Sequence, residues 1–212
     1  MARLIAFGCS TTYGHGLPDC TDGMNAGPEP SQFAWPVKLA EKLGRTPVNM
    51  SKPGAGNTEI LWKMFNFDFE PDDLCIVMWS YFTRSELFMY TDDPNGMRIR
   101  ENRDNPRFYQ DEDIFLDHNI IANLLTMDHG ARYLNDLNIR SYAYIGPYRV
   151  SSKDKIVSGE FYFKTNDRIN IPNLDLSFCI RQCVVDQGLD IIHPGVKTHE
   201  LIAETLYEKI NE

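Results

Sequence analysis

The sequence predicts a three-layer α/β protein built on a doubly wound parallel sheet. Three observations lead there: short, continuously apolar runs that suit strands buried on both faces, amphipathic stretches between them, and alternation of the two along the chain. The strand-like runs are Arg3–Gly8, Pro47–Met50, Leu74–Ser80 and Ser141–Gly146, each closed by small or polar residues. Helical patterns lie between them at Phe33–Leu43 after Ser31, Thr58–Phe67 after Asn57, and His118–Leu137. The order β, α, β, α, β, α, β is the one that right-handed crossovers need. A closing helix over Val196–Ile210 carries Leu201, Ile202, Leu206 and Ile210 on one face.

Two segments fit no regular element. Asp19–Ser31 is rich in Gly, Pro and Asn, and Tyr90–Asp113 is rich in Asp, Asn, Arg and Pro with little periodicity. Long loops in an open α/β sheet gather where ligands bind, at the carboxyl ends of the strands, so both are expected on the substrate rim. Val150–Leu176 is ambiguous, with a possible hairpin around Glu160–Thr165.

The 212 residues, 42% of them hydrophobic, suffice for one core, and the length favours a single domain over residues 1–212. No apolar run approaches the roughly 20 residues of a bilayer span, and the chain enters a strand-like run directly, so neither a membrane helix nor a signal peptide is expected. A net charge of -9 disfavours nucleic acid and anionic membranes as partners. Five cysteines without a CxxC pair do not make a disulfide framework and suit a reducing, cytoplasmic compartment.

The chemistry begins at Gly8-Cys9-Ser10-Thr11-Thr12-Tyr13-Gly14, where the first strand runs into a turn. A hydroxyl at a strand's carboxyl end, followed by a tight turn, stands where backbone N–H groups can face a developing negative charge. Taken alone, the same cluster equally serves turn formation and capping. A flavodoxin-like phosphate loop would also follow strand one, but leaves the C-terminal His unexplained. A cysteine phosphatase loop would need an Arg six residues after Cys9, where His15 stands. The side chain of Cys9 is expected to point inward, away from Ser10.

Near the other terminus stands Leu189-Asp190-Ile191-Ile192-His193-Pro194-Gly195. An Asp and a His three apart on one loop can face the same pocket, the carboxylate orienting the imidazole. In isolation the pair could also be a turn cap and a residue before a Pro-Gly bend. A parallel sheet, however, gathers all strand carboxyl ends on one side, where Ser10, Asp190 and His193 can meet as an acyl-transfer triad. His15, His118, His129 and His199 show no metal-ligand spacing, so no zinc and no other cofactor is expected.

These blocks resemble the SGNH/GDSL hydrolase family, whose first block reads G-D-S-x-T-x-G and whose last reads D-x-x-H-P. A second block of the type V-N-x-S-x-x-G looks like Val48-Asn49-Met50-Ser51-Lys52-Pro53-Gly54. The resemblance implies a flavodoxin-like SGNH architecture, an esterase activity through an acyl-enzyme, and an oxyanion hole using the N–H groups of Ser10 and Gly54. Two departures mark the chain as divergent. Cys9 replaces the Asp of the first block, which leaves the nucleophile and acid in place. The third block, G-x-N-D in the family, is replaced by Met78-Trp79-Ser80-Tyr81-Phe82-Thr83-Arg84-Ser85-Glu86, without its Asn. Ser80, Tyr81, Thr83 or Asn57 are the candidates for the missing third donor, and Arg84 and Glu86 could equally pair on the surface.

Two functions follow from the resemblance. One is hydrolysis of an ester, such as an O-acetyl group on a carbohydrate; Asp92, Asp93, Arg98 and Arg100 on the rim suit a polar substrate. The other is a catalytically weakened module that binds a carbohydrate or other small ligand, with Tyr90, Phe108, Tyr109 and Tyr148 as stacking surfaces. Members with a Cys in the first block and no leader resemble proteins of tailed bacteriophages, which implies the host-cell cytoplasm.

Overall fold

The computed structural model describes all residues except 1, 23, 82–83, 85, 91–96, 102–111, 146–170, 176–177 and 179. In chain order the elements are β1 (Arg3–Phe7), the one-turn helix α1 (Ser10–Tyr13), the two-residue strands β2 (Thr21–Asp22) and β3 (Asn25–Ala26), and α2 (Trp35–Leu43). They continue with β4 (Thr46–Asn49), α3 (Asn57–Phe65), β5 (Leu74–Trp79), β6 (Glu86–Tyr90) and β7 (Met97–Glu101). The chain then forms α4 (Glu112–Asp136), β8 (Arg140–Ile145), β9 (Leu174–Asp175), a 3-10 turn at Ile180–Cys183 and α5 (Val196–Asn211).

Five strands form the central sheet in the order β4-β1-β5-β8-β9, every pairing parallel. The order of connection reverses at β1, so the crevice between the carboxyl ends of β1 and β5 is the topological switch point where α/β sheets take their ligands. The doubly wound α/β fold expected from the sequence is therefore the one observed.

Period-two alternation sorts the strand side chains into two cores. Leu4, Ala6, Leu74, Ile76 and Met78 pack on one face against Trp35 and Leu39 of α2 and Ile202, Leu206 and Ile210 of α5. Ile5, Phe7, Cys75, Val77 and Trp79 face the other way, against Ile60 and Met64 of α3 and Leu124, Met127 and Leu134 of α4. Each fully buried aliphatic side chain contributes about 1.5–3 kcal/mol, so these two layers hold the sheet ends where the site forms.

The four long helices and the four principal strands lie where the sequence places them, with ends shifted by a few residues. Two expectations need correction. Tyr90–Asp113 is not wholly irregular: β7 lies inside it and pairs antiparallel with β6. The run Met97-Arg98-Ile99-Arg100-Glu101 does alternate apolar and polar residues, but its charges disguise the period. Asp19–Ser31 contains the β2–β3 pair and folds back on itself, with Asp19 bonded to the Ser31 hydroxyl and the Gln32 N–H (2.7 Å), and the Tyr13 hydroxyl bonded to the Gly27 carbonyl (2.9 Å). Its described residues do not line the cleft formed by Ser10, Gly54 and His193. The sheet also gains β9, a two-residue edge strand. The hairpin expected around Glu160–Thr165 lies outside the described residues.

The α2–α5 contact contains a pH-sensitive group. His199 of α5 is fully buried, and its Nδ1 accepts the Trp35 N–H (3.0 Å) at the start of α2, whose N-cap residue Ala34 has no side chain able to do so. Burial lowers its pKa from 6.5 to about 4. A group held neutral in the fold but free to protonate when unfolded stabilises the fold above about pH 6.5 and loses that contribution as pH falls toward 4. The loss is on the order of 3 kcal/mol when complete. Thermal melts between pH 7 and 4.5 should show a falling Tm that flattens in His199→Asn, whose Oδ1 can replace Nδ1 as acceptor without titrating. An unchanged pH slope in that variant would exclude His199 as the cause.

Candidate active site

Strand β1 delivers the chain to Gly8, where an added Cβ would lie 2.2 Å from the Thr12 hydroxyl, so the turn into α1 closes too tightly for a side chain. The single turn of α1 starts at Ser10 and ends at Gly14, in the left-handed region at φ 86°. The Ser10 carbonyl accepts the N–H groups of Gly14 and His15, both at 3.0 Å, which swings His15 back over the turn. Cys9 is buried in the core with Ile5 and Phe7, as the alternation along β1 requires.

The second block is wired to the first. Asn49 donates from Nδ2 to the Thr12 carbonyl (2.8 Å) and accepts from both the N–H and the hydroxyl of Ser51. The Lys52 N–H bonds the Gly8 carbonyl at 3.2 Å. Gly54 follows at φ 82°, a conformation that glycine adopts without strain.

The Asp190–His193 loop docks on the other side of Ser10. Asp190, only 4% exposed, accepts the N–H groups of Ile192 and His193 on Oδ1, each at 3.0 Å, and bonds His193 Nδ1 through Oδ2 at 2.5 Å. Burial works against the charged carboxylate, but the His193 backbone N–H, its ring and the Ile192 N–H together hold the Asp190 pKa below its ordinary value. Ile191 takes φ 55°, rare for a β-branched residue, which bends the loop so that Asp190 and His193 converge. The loop is pinned to the first block by two close glycines. The Leu189 N–H bonds the Gly16 carbonyl at 2.7 Å; a Cβ on Gly188 would lie 2.6 Å from that carbonyl oxygen, and one on Gly16 would lie 2.6 Å from Asp190 Oδ1.

Ser10, His193 and Gly54 line one cleft of about 860 Å³, together with Thr11, His15, Tyr81 and Arg84, while Ile180, Val184 and Ile192 supply apolar wall. Asp190 lies beneath it, behind His193. The structure thus brings Ser10, Asp190, His193 and Gly54 to the switch-point crevice.

The candidates for a third donor fall apart. Asn57 is buried and fully engaged: its Nδ2 donates to Asn123 Oδ1 (2.5 Å) and the Ser80 carbonyl (3.4 Å), and its Oδ1 accepts the Ser80 N–H (2.6 Å). Neither Asn57 nor Ser80 is among the residues lining the cleft. Tyr81 does line it. Thr83 lies outside the described residues, as do Asp92, Asp93, Phe108, Tyr109 and Tyr148 and the side chains of Tyr90, Arg98 and Arg100. Arg84 lines the cleft and has no ion pair among the described residues, which do not include the side chain of Glu86.

Two cleft residues escaped the sequence reading. His15 stacks on His193, with ring centroids 4.3 Å apart, and its Nε2 lies 3.8 Å from Asp190 Oδ2. Burial, then the neighbouring His193, lower its pKa in spite of Asp190, so its ring is mostly neutral at neutral pH and shields the Asp190–His193 bond from water. The donor atoms of His15, Asp190 and His193 all lie within 4.8 Å of one another, a grouping able to hold a divalent cation. Spacing along the chain could not show it, because His15 and His193 meet only in the fold. Arg84 carried no motif at all.

No family model and no curated protein matches the sequence. Solved structures do. The chain is similar to a carbohydrate acetylesterase from Sinorhizobium meliloti, at 14% identity over 100% of this chain and 99% of that one, with a TM-score of 0.58. It is similar to a G-D-S-L-family protein from Desulfitobacterium hafniense, at 13% identity over 97% and 98% of the two chains, with a TM-score of 0.57. It is also similar to a family two carbohydrate esterase from Clostridium thermocellum, solved with cellohexaose, at 15% identity and a TM-score of 0.59, over 99% of this chain and 63% of that one. The fold is SGNH/GDSL hydrolase-like, and at 13–15% identity the likeness is one of fold.

Proposed function

We propose that this protein is a serine hydrolase that cleaves an ester through an acyl-enzyme, an O-acetyl group on a carbohydrate being the substrate class favoured by its structural likeness to carbohydrate esterases. The observation that carries the reading is the 2.5 Å Asp190–His193 pair opening onto the same cleft as Ser10. His193 Nε2 takes the Ser10 proton as the hydroxyl attacks, returns it to the leaving alcohol, and then activates water against the acyl-enzyme. Asp190 keeps the Nδ1–H tautomer and stabilises the imidazolium. The N–H groups of Ser10 and Gly54 hold the oxyanion, with Tyr81 the remaining described candidate for a third donor; one missing donor lowers turnover by about 10²–10³-fold without abolishing it.

A cytoplasmic site of action fits Cys9, Cys20 and Cys75, which are buried and form no disulfide among the described residues. Among the described residues no helix is long and apolar enough to cross a membrane.

A fluorophosphonate probe tests the reading, because only an activated hydroxyl attacks it. One adduct on Ser10 is expected in the wild type and none in Ser10→Ala, with labelling slowed in His193→Ala. Absence of labelling in the folded wild type would turn the site into a ligand-binding cleft without acyl transfer.

A further inference from the structure

We infer that Arg84 is a carboxylate receptor in the cleft, and that the ester this protein acts on carries a carboxylate beside the scissile bond. The identity of the ligand as an ester rests on the hydrolase reading above; the anion site itself rests on Arg84.

The guanidinium is held, but only at one corner. Its Nη1 donates to the Ala55 carbonyl at 2.8 Å and to the Ser80 hydroxyl at 2.9 Å. Its Cζ stands 5.0 Å from the centroid of the Tyr81 ring. Ser80 is itself fixed, because its N–H bonds Asn57, which bonds Asn123 in the interior. Arginine has five N–H donors. The two on Nη1 are used, and among the described residues neither Nε nor Nη2 has an acceptor. The Nε–Nη2 edge is a side-on fork whose two parallel N–H groups match the two oxygens of a carboxylate.

Charge points the same way. The chain carries a net charge of -9, yet among the described residues no carboxylate lines the cleft and no acid pairs with Arg84. A cation fixed in a concave site, with no counter-ion among the described residues, is poised for an anion that arrives with the ligand. A single guanidinium with one open edge suits a carboxylate monoanion better than a phosphate dianion. Its anchor, Ala55, is the neighbour of Gly54, which places the receptor beside the expected oxyanion site. The carboxylate can therefore sit on the acyl side, as in a dicarboxylic half-ester, or on the alcohol side, as in an acetylated uronic acid.

Two substrate pairs distinguish the sides: mono-4-nitrophenyl succinate against 4-nitrophenyl butyrate, and acetylated glucuronic acid against acetylated glucose. Within each pair the readout is the ratio of kcat/KM, charged over neutral, so a general loss of activity cancels. In at least one pair the ratio should fall about 10- to 100-fold in Arg84→Gln, the range of a charge-assisted bidentate contact, and less in Arg84→Lys, which keeps the charge but not the fork. Ratios unchanged within about threefold in both pairs would overturn the proposal; an equal fall for charged and neutral esters would instead assign Arg84 to the developing oxyanion. If the wild type cleaves none of the four esters, the hydrolase reading fails, and calorimetric binding of succinate and glucuronate still decides the anion site. Binding by the wild type that is lost in Arg84→Gln supports it, and no binding, or equal binding by both proteins, refutes it.

Discussion

Asp190→Asn should lower kcat/KM for any ester the protein cleaves by about 10⁴-fold while the fold stays intact. The carboxylate accepts three hydrogen bonds, two from backbone N–H groups on Oδ1 and one from His193 on Oδ2. An amide has one acceptor oxygen. If that oxygen takes the Oδ1 position, the NH₂ group faces His193 Nδ1, which must become an acceptor. The ring proton then moves to Nε2, the atom that has to receive the proton of Ser10. If the amide turns the other way, the NH₂ group faces two backbone donors and the loop itself is forced apart. Steady-state kinetics beside a thermal melt check this; a fall of less than about tenfold with an unchanged Tm would remove Asp190 from the catalytic machinery.

Gly16→Ala should be the most damaging substitution outside the triad, costing about 10²-fold in kcat/KM, the scale expected when a catalytic group is displaced by about 1 Å. Gly16 sits at φ 87°, and its new Cβ would stand 2.6 Å from Asp190 Oδ1 and 2.8 Å from Cγ. Relief requires moving either the Asp190 carboxylate or the Gly16 carbonyl that holds Leu189. Both routes shift His193. The left-handed conformation adds about 1–2 kcal/mol of strain for a non-glycine residue, so Tm should fall as well. Gly44→Ala is the comparison: it is also left-handed, at φ 64°, but nothing lies within 4 Å of its added Cβ, so it should lose stability and keep activity. Equal activity losses in the two variants would show that strain, not the contact with Asp190, is responsible.

What the sequence revealed and concealed divides along physical lines. Leu74–Trp79 is readable because it is buried on both faces and so continuously apolar; α5 is readable because one face packs on the sheet. β7 hides because Arg98, Arg100 and Glu101 outweigh Met97 and Ile99, and β9 because two residues carry no period. Ser10, Gly54, Asp190 and His193, which the fold brings to one crevice, are legible as candidates through local blocks, each a turn written in consecutive residues. His15 and Arg84 are not, because their roles arise from packing. His15 acquires its role by stacking on a ring 178 positions along the chain, and Arg84 by reaching Ala55 and Ser80. Asn57 shows the converse error: its residue type suits an oxyanion donor, but the interior claims its amide first.

The seam between the Gly16 and Gly188 turns has a kinetic consequence. It joins segments from opposite ends of the chain, as does the nearby bond from the Trp35 N–H to His199, 164 positions away. Such closures carry the greatest loop entropy and form late, after local helices and neighbouring strands have condensed. Secondary structure should thus return before the proposed hydrolytic activity during refolding, and the return of that activity would mark the moment when the two ends of the chain find each other.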